Sequence, residues 1–387
     1  MPYIDFNNIT NQNNNVLGRA YKTAQTPYWQ ARNTDKNYVH VSSLLSNQCI
    51  RKYFYEYIHQ DKKLHSPKQQ SAYSQTIFKI GSTLEEDRVN TFIAMQPNNV
   101  AFFGTWRCAC GAYSIQGAKT DLDKRFYNVC DTCGTTPNRY DEYQFKIEHI
   151  GQSGRPDFCI VTKENGKYIL SIYEFKTVMK SDFVQAHKNN SYQSLSHIKQ
   201  SSTYYWFFVW LSKKHPEQLY IVDTEGKEVP IDIINPVITI LYMDKRDDRY
   251  EPQEGEPATK NVYVSDWYKG DPNYFYTYNA LEPVEVREKD LVPKNMKKFD
   301  ALALANQTYF KKDDETGKVY FISMEYAKEL SNVSKAIKDA KHNNELPQMD
   351  IIQHPCLNKD GTFSDYKAKN DMECPFYELC KNNQRNF

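Results

Sequence analysis

The chain has 387 residues, with 49 Lys and Arg against 48 Asp and Glu, for a net charge of +1 at neutral pH. That balance excludes a global basic field for nucleic acid, so any such surface must be a local groove. An aromatic fraction of 14%, including 30 Tyr, excludes an intrinsically disordered chain, and the length allows a sizeable core with insertions. No apolar run is long enough to span a bilayer, and the opening MPYIDFNNITNQNNN has no signal-peptide pattern. The expectation is a cytoplasmic protein of a prokaryotic cell or phage-infected host, without a membrane partner. In a reducing compartment the nine Cys read as metal ligands or core thiols rather than disulfides.

Residues 1–40 are Asn-rich and weakly patterned, an N-terminal arm. Ser42 or Ser43 caps a helix through LLSNQCIRKYFYEYI, and a second helix spans Thr76 to Ala94; together they make a helical part over 41–100. An interruption over 101–140 carries tight Cys pairs and glycines. Strands resume at Gln144–Ile150, Asp157–Thr162 and Lys167–Val178, a helix covers His187–Leu211, and the β-branched run VITILYM within Pro230–Tyr242 suggests a further strand. These elements form a core over 141–245. Residues 246–320, rich in Asp, Glu, Pro and Tyr, read as an irregular or small β insertion. A helix over Met324–Asn344 and a loop-rich tail with three Cys complete 321–387. There is no internal repeat and no GxxxxGK phosphate loop, so a built-in ATP motor is not expected.

The stretch ILSIYEFKTV, residues 169–178, suits a half-buried strand except at Glu174 and Lys176. It follows ENGK, residues 164–167, whose central Asn-Gly is the strongest two-residue hairpin signal because both positions need positive φ. With Asn165 and Gly166 as the loop, facing residue numbers sum to 331, and Asp157 faces Glu174. Directly opposed carboxylates repel unless a proton or cation lies between them. Strand alternation puts Lys176 on the face of Glu174 and Phe175 on the other. Two carboxylates beside an ammonium suit a hard divalent cation, Mg²⁺ or Mn²⁺, with the ammonium orienting a water or stabilising charge on a phosphate. The competing reading is a solvent-facing salt-bridge ladder.

Cys108, Cys110, Cys130 and Cys133 form a CxC…CxxC set, each pair followed by a glycine, Gly111 or Gly134. Two tight cysteine turns of this kind converge on tetrahedral Zn²⁺, so the interruption reads as a structural zinc ribbon holding a β finger. Cys159 alternates with Asp157 and reads as a core or near-site thiol rather than a ligand.

At GRPDF and EFK the chain resembles the PD-(D/E)xK nuclease superfamily, with Asp157, Glu174 and Lys176 matching position by position. It is most similar to the RecB-type exonuclease branch. The run HIKQSSTYYW carries His197, Gln200 and Tyr204 in that branch's H-x-x-Q-x-x-x-Y pattern; Gln200 and Tyr204 are four apart and share a helix face. Upstream, IGSTLEEDRV resembles the branch's G-x-x-x-H helix, with Glu85 where the family has its metal-binding His and Glu86 as competitor. The resemblance implies an α/β, restriction-endonuclease-like fold: a mixed central sheet flanked by helices, with the zinc ribbon inserted. Asp157, Glu174 and Glu85 would bind Mg²⁺ or Mn²⁺ with the backbone carbonyl of Phe175. Lys176 would hold the attacking water, and Gln200 and Tyr204 would orient Lys176 or the substrate phosphate.

AddB-type and CRISPR-adaptation nucleases of this branch place one Cys before the core and three after it on a [4Fe–4S] cluster. Cys49, Cys356, Cys374 and Cys380 match that set, although residues 357–373 separate the second and third where the family spacing is short. Zn²⁺ is the alternative occupant of those thiolates. The implied function is metal-dependent DNA hydrolysis, exonucleolytic on single strands or ends, in recombination, repair or CRISPR-type processing, with a helicase or recombination partner supplying any unwinding. The alternatives are a site-specific endonuclease and a non-catalytic DNA-end-binding scaffold with structural metals.

Overall fold

The computed structural model describes residues 38–44, 51, 54–55, 72–94, 100–110, 113–115, 119–120, 132–134, 139–178, 186–187, 189–223, 227–244, 273–287, 290, 308–343 and 345. Within them the chain is mixed α/β. Three long helices are described: α1 (Ala72–Ala94), α2 (Leu195–Lys214) and α3 (Ser323–Asn343). The main sheet contains β1 (Val100–Phe102), β2 (Phe158–Glu164), β3 (Lys167–Val178), β4 (Ile233–Ile234), β5 (Val237–Asp244) and β6 (Asn273–Asn279). Its order is β6-β5-β3-β2-β1, with β4 pairing β3 as well.

The β2–β3 hairpin follows directly from its turn. Asn165 and Gly166 both have positive φ, 50° and 77°, and every rung of the ladder obeys the sum expected from the sequence, from Lys167↔Glu164 to Tyr173↔Phe158. The next strand in the sheet, β5, is parallel to β3, with Glu174↔Ile240 and Lys176↔Tyr242. A parallel pair cannot be joined by a tight turn, and α2 makes the crossover. That helix starts at Leu195, later than the sequence suggested, because residues 191–194 are extended or bent. Ser194 is its N-cap, and its hydroxyl accepts from the Ser196 N–H at 3.3 Å. Lys213 and Lys214 favour the negative end of the helix dipole, and Pro216 follows its cap.

Strand alternation sorts the side chains into two layers. Leu170, Ile172, Ile238 and Ile240 pack with Ile198, Tyr204 and Phe208 of α2. Phe158, Phe175, Leu241 and Met243 pack on the other face with Val89 of α1. The sheet is therefore sandwiched between α1 and α2, and α2 is buried on more than one side because α3 covers it. Tyr205, Phe207 and Phe208 are core, while Trp206 and Trp210 are partly buried against it.

Residues 246–320 read as an irregular or small β insertion, and Asn273–Asn279 within them is β6, which joins the main sheet antiparallel to β5. Its alternating tyrosines, with Tyr274 and Tyr278 buried, suit an outer strand of the sheet. The cysteine-bearing region contributes a separate antiparallel sheet in which Thr105–Arg107 lies between Tyr113–Ile115 and Arg139–Asp141. No described helix is long and apolar enough to cross a membrane.

Candidate metal centre

Asp157 stands between Pro156 and the first residue of β2. The β2–β3 ladder ends at Phe158↔Tyr173, one rung short of the expected Asp157–Glu174 pair. Pro156 has no N–H with which to continue a ladder. Instead the Asp157 side chain takes over: its Oδ2 accepts from the Phe175 N–H at 2.8 Å. The preceding segment is held equally closely. A Cβ on Gly154 would lie 2.2 Å from Phe145 Cζ and 2.9 Å from Tyr204 Cε1, so only glycine fits there.

Glu174 and Lys176 project from the same face of β3. Glu174 is fully buried and accepts a hydrogen bond from Lys176 Nζ through Oε1. Its Oε2 is buried and has no hydrogen-bond partner among the described residues. Lys176 Nζ also lies 3.6 Å from Asp157 Oδ2. Burial and the neighbouring Asp157 charge push the Glu174 carboxyl well above its ordinary range, against the pull of Lys176. Burial alone would lower Lys176, but Asp157 and Glu174 outweigh it and hold the ammonium charged.

Three carboxylates converge beside this pair. Oxygens of Glu85, Glu142 and Asp157 lie within 4.8 Å of one another. Glu85 comes from α1 and is half-buried, whereas Glu86 is exposed. An ion with oxygen ligands at about 2.0–2.1 Å spans about 4.2 Å between opposite ligands, so these side chains fit a hard divalent cation with small movements. Glu174 stands outside that group of three, but its unpartnered Oε2 belongs to the carboxylate that Lys176 joins to Asp157, and a buried carboxylate oxygen otherwise forfeits its hydration. Glu142, which also receives the Arg155 guanidinium, was not singled out from the sequence. No local pattern marks it, because it reaches the site from the end of the inserted region.

The motif residues of α2 stand behind this cluster. Gln200 Nε2 donates to the Tyr204 hydroxyl at 2.9 Å, and the Tyr204 ring packs against Gly154. Tyr204 is fully buried, so it holds the Gly154–Asp157 segment rather than touching a substrate. His197 Nδ1 is 3.2 Å from the hydroxyl of Tyr242, which also accepts from the Gln193 N–H at 3.0 Å. Burial and the charges of Lys176 and Arg287 push His197 down to about 3, leaving it neutral. Tyr242 is a second residue that the sequence did not reveal, since its place beside Lys176 depends on the parallel register.

The cysteines divide. Sulfurs of Cys108, Cys110 and Cys133 lie within 4.8 Å of one another, with Cys108 and Cys133 at 3.4 Å. A disulfide is about 2.05 Å long, whereas thiolates on a tetrahedral Zn²⁺ at about 2.3 Å stand about 3.8 Å apart, so the trio fits the metal. Cys130 lies outside the described residues, as do Cys49, Cys356, Cys374 and Cys380 of the expected cluster set. Cys159 is fully buried in the core, and burial pushes its thiol well up. No protein-family model, curated protein or solved structure matches the chain.

Proposed function

We propose that the chain is a divalent-cation-dependent deoxyribonuclease, acting as an exonuclease on single-stranded DNA or DNA ends. One observation carries the reading: a fully buried Glu174 has one oxygen on Lys176 and the other without a partner among the described residues, and Lys176 joins it to Asp157, a member of the Glu85, Glu142 and Asp157 carboxylate group. A structural ion pair would not need an orphaned buried oxygen, but a metal ligand would. The mixed sheet flanked by helices agrees with the restriction-endonuclease-like fold that the PD-(D/E)xK resemblance implies.

Asp157, Glu174 and Glu85 would hold Mg²⁺ or Mn²⁺. A cation there supplies Lewis-acid neutralisation of phosphate charge. Lys176, kept protonated by its two carboxylates, donates to the attacking water or to a phosphate oxygen. Asp157 holds the Phe175 N–H and so fixes the β3 backbone on which Glu174 and Lys176 sit. Gln200 and Tyr204 act from behind by setting the Gly154–Asp157 segment. Cys108, Cys110 and Cys133, with Cys130, would hold a structural Zn²⁺. Cys49, Cys356, Cys374 and Cys380 would hold a [4Fe–4S] cluster or a second Zn²⁺.

The test is degradation of end-labelled single- and double-stranded DNA with Mn²⁺ by wild type, Asp157→Ala and Lys176→Ala. The reading requires activity in wild type and its loss in both variants. Equal degradation by all three, or by none, rejects it. Discrete fragments from a circular substrate would indicate an endonuclease instead. Iron and zinc quantification with absorption near 400 nm on anaerobically purified protein separates cluster from zinc.

A further inference from the structure

We propose that Glu142 is a ligand of the same divalent cation, so that the cysteine-bearing finger supplies part of the metal centre. This rests on the metal-centre reading above and extends it to a residue outside the resembled motifs. Glu142 follows directly on Arg139–Asp141, the strand that pairs with Thr105–Arg107, and Thr105–Arg107 runs straight into Cys108. Both neighbours in the chain fix its position. Tyr140 is buried and donates its hydroxyl to the Phe103 carbonyl at 3.0 Å. Its ring occupies the space of a side chain at Gly104, where a Cβ would come within 2.4 Å. On the other side Tyr143 and Phe145 are buried in the main core. The Glu142 backbone is thus pinned between finger and core, and its carboxylate lies within 4.8 Å of those of Glu85 and Asp157.

The acidic cluster alone would not make a site. The independent observation is Glu174: it is fully buried, one oxygen lacks a partner, and Lys176 joins it to Asp157. Asp157 is common to both sets: its Oδ2 lies 3.6 Å from Lys176 Nζ and its carboxylate belongs to the group with Glu85 and Glu142, so a cation on Asp157 would relieve repulsion among the acids. The Arg155 contact does not preclude this, because a carboxylate has two oxygens and several lone-pair directions. Arg155 is exposed enough that the pair is held weakly.

The experiment titrates Mn²⁺ into the full-length chain after treatment with chelating resin, reading free Mn²⁺ by electron paramagnetic resonance. It compares wild type with Glu142→Gln, Asp157→Asn, Arg155→Ala and the remote, exposed Glu217→Gln. Glu142→Gln keeps the side-chain shape and is expected to weaken Mn²⁺ binding on the order of tenfold or more, as Asp157→Asn should. Arg155→Ala should leave binding unchanged or tighten it, and Glu217→Gln should not alter it. Wild-type affinity in Glu142→Gln overturns the inference. So does weakening by Arg155→Ala to match Glu142→Gln, since Glu142 would then act only through Arg155. Absence of Mn²⁺ binding in wild type instead overturns the metal-centre reading itself.

Discussion

Lys176→Met in metal-free protein isolates the electrostatic core of the site. Lys176 keeps only 19% of its side-chain surface exposed, and Glu174 keeps none. At 3.6 Å and an effective dielectric constant near 20, Lys176 and Asp157 attract by roughly 4–5 kcal/mol before desolvation is counted. Glu174 adds a second attraction of similar kind, and much of the total is spent on removing the charges from water. What remains is the penalty of stranding carboxylates when the ammonium goes, about 3–5 kcal/mol for a buried pair. Methionine still fills the space of the lysine stem, so little packing is lost. The expected result is a loss of about 3–5 kcal/mol in urea unfolding followed by fluorescence and circular dichroism in EDTA. Glu174→Gln in the same background removes the stranded charge, so the double variant should recover about 1–3 kcal/mol relative to additive losses. A Lys176→Met loss below about 0.5 kcal/mol, or strict additivity, would refute the buried-cluster reasoning.

Two further substitutions probe the surroundings. Gly154→Ala forces a Cβ against Phe145 and Tyr204, and should cost about 1–3 kcal/mol while lowering DNA hydrolysis through displacement of Asp157; unchanged stability by urea unfolding would contradict the packing. Lys199 is buried with its Nζ 5.0 Å from the Tyr309 ring and 5.1 Å from that of Tyr326, and burial, opposed by Glu329, lowers it to about 8. Between pH 8 and the ordinary lysine value the unfolded chain binds the extra proton, so stability rises with pH over that window. Wild type should therefore gain on Lys199→Met by up to about 1.4 kcal/mol per pH unit from pH 8 upward, and parallel unfolding curves would contradict this.

Local chemistry made part of this arrangement legible. Asn165-Gly166 dictates a hairpin, and its register holds as far as Phe158↔Tyr173, one rung short of the Asp157–Glu174 position. The same alternation separates Lys176 from Phe175, which lies in the opposite layer. What escaped the sequence was non-local. Asp157 bonds the Phe175 N–H instead of standing on a regular rung, because Pro156 ends the ladder. Glu142 arrives across the finger, and Tyr242 through a parallel strand whose register no turn specifies. The β6 strand was hidden by its acidic, proline-containing flanks, although its own NYFYTYN carries the alternation of a strand.

The most direct measurement is anomalous diffraction at the manganese edge from crystals grown with Mn²⁺. The account predicts a peak bound by Asp157 and Glu174 beside Lys176. Strong Mn²⁺ peaks elsewhere, with these two carboxylates bearing none while the same preparation degrades DNA, would contradict it.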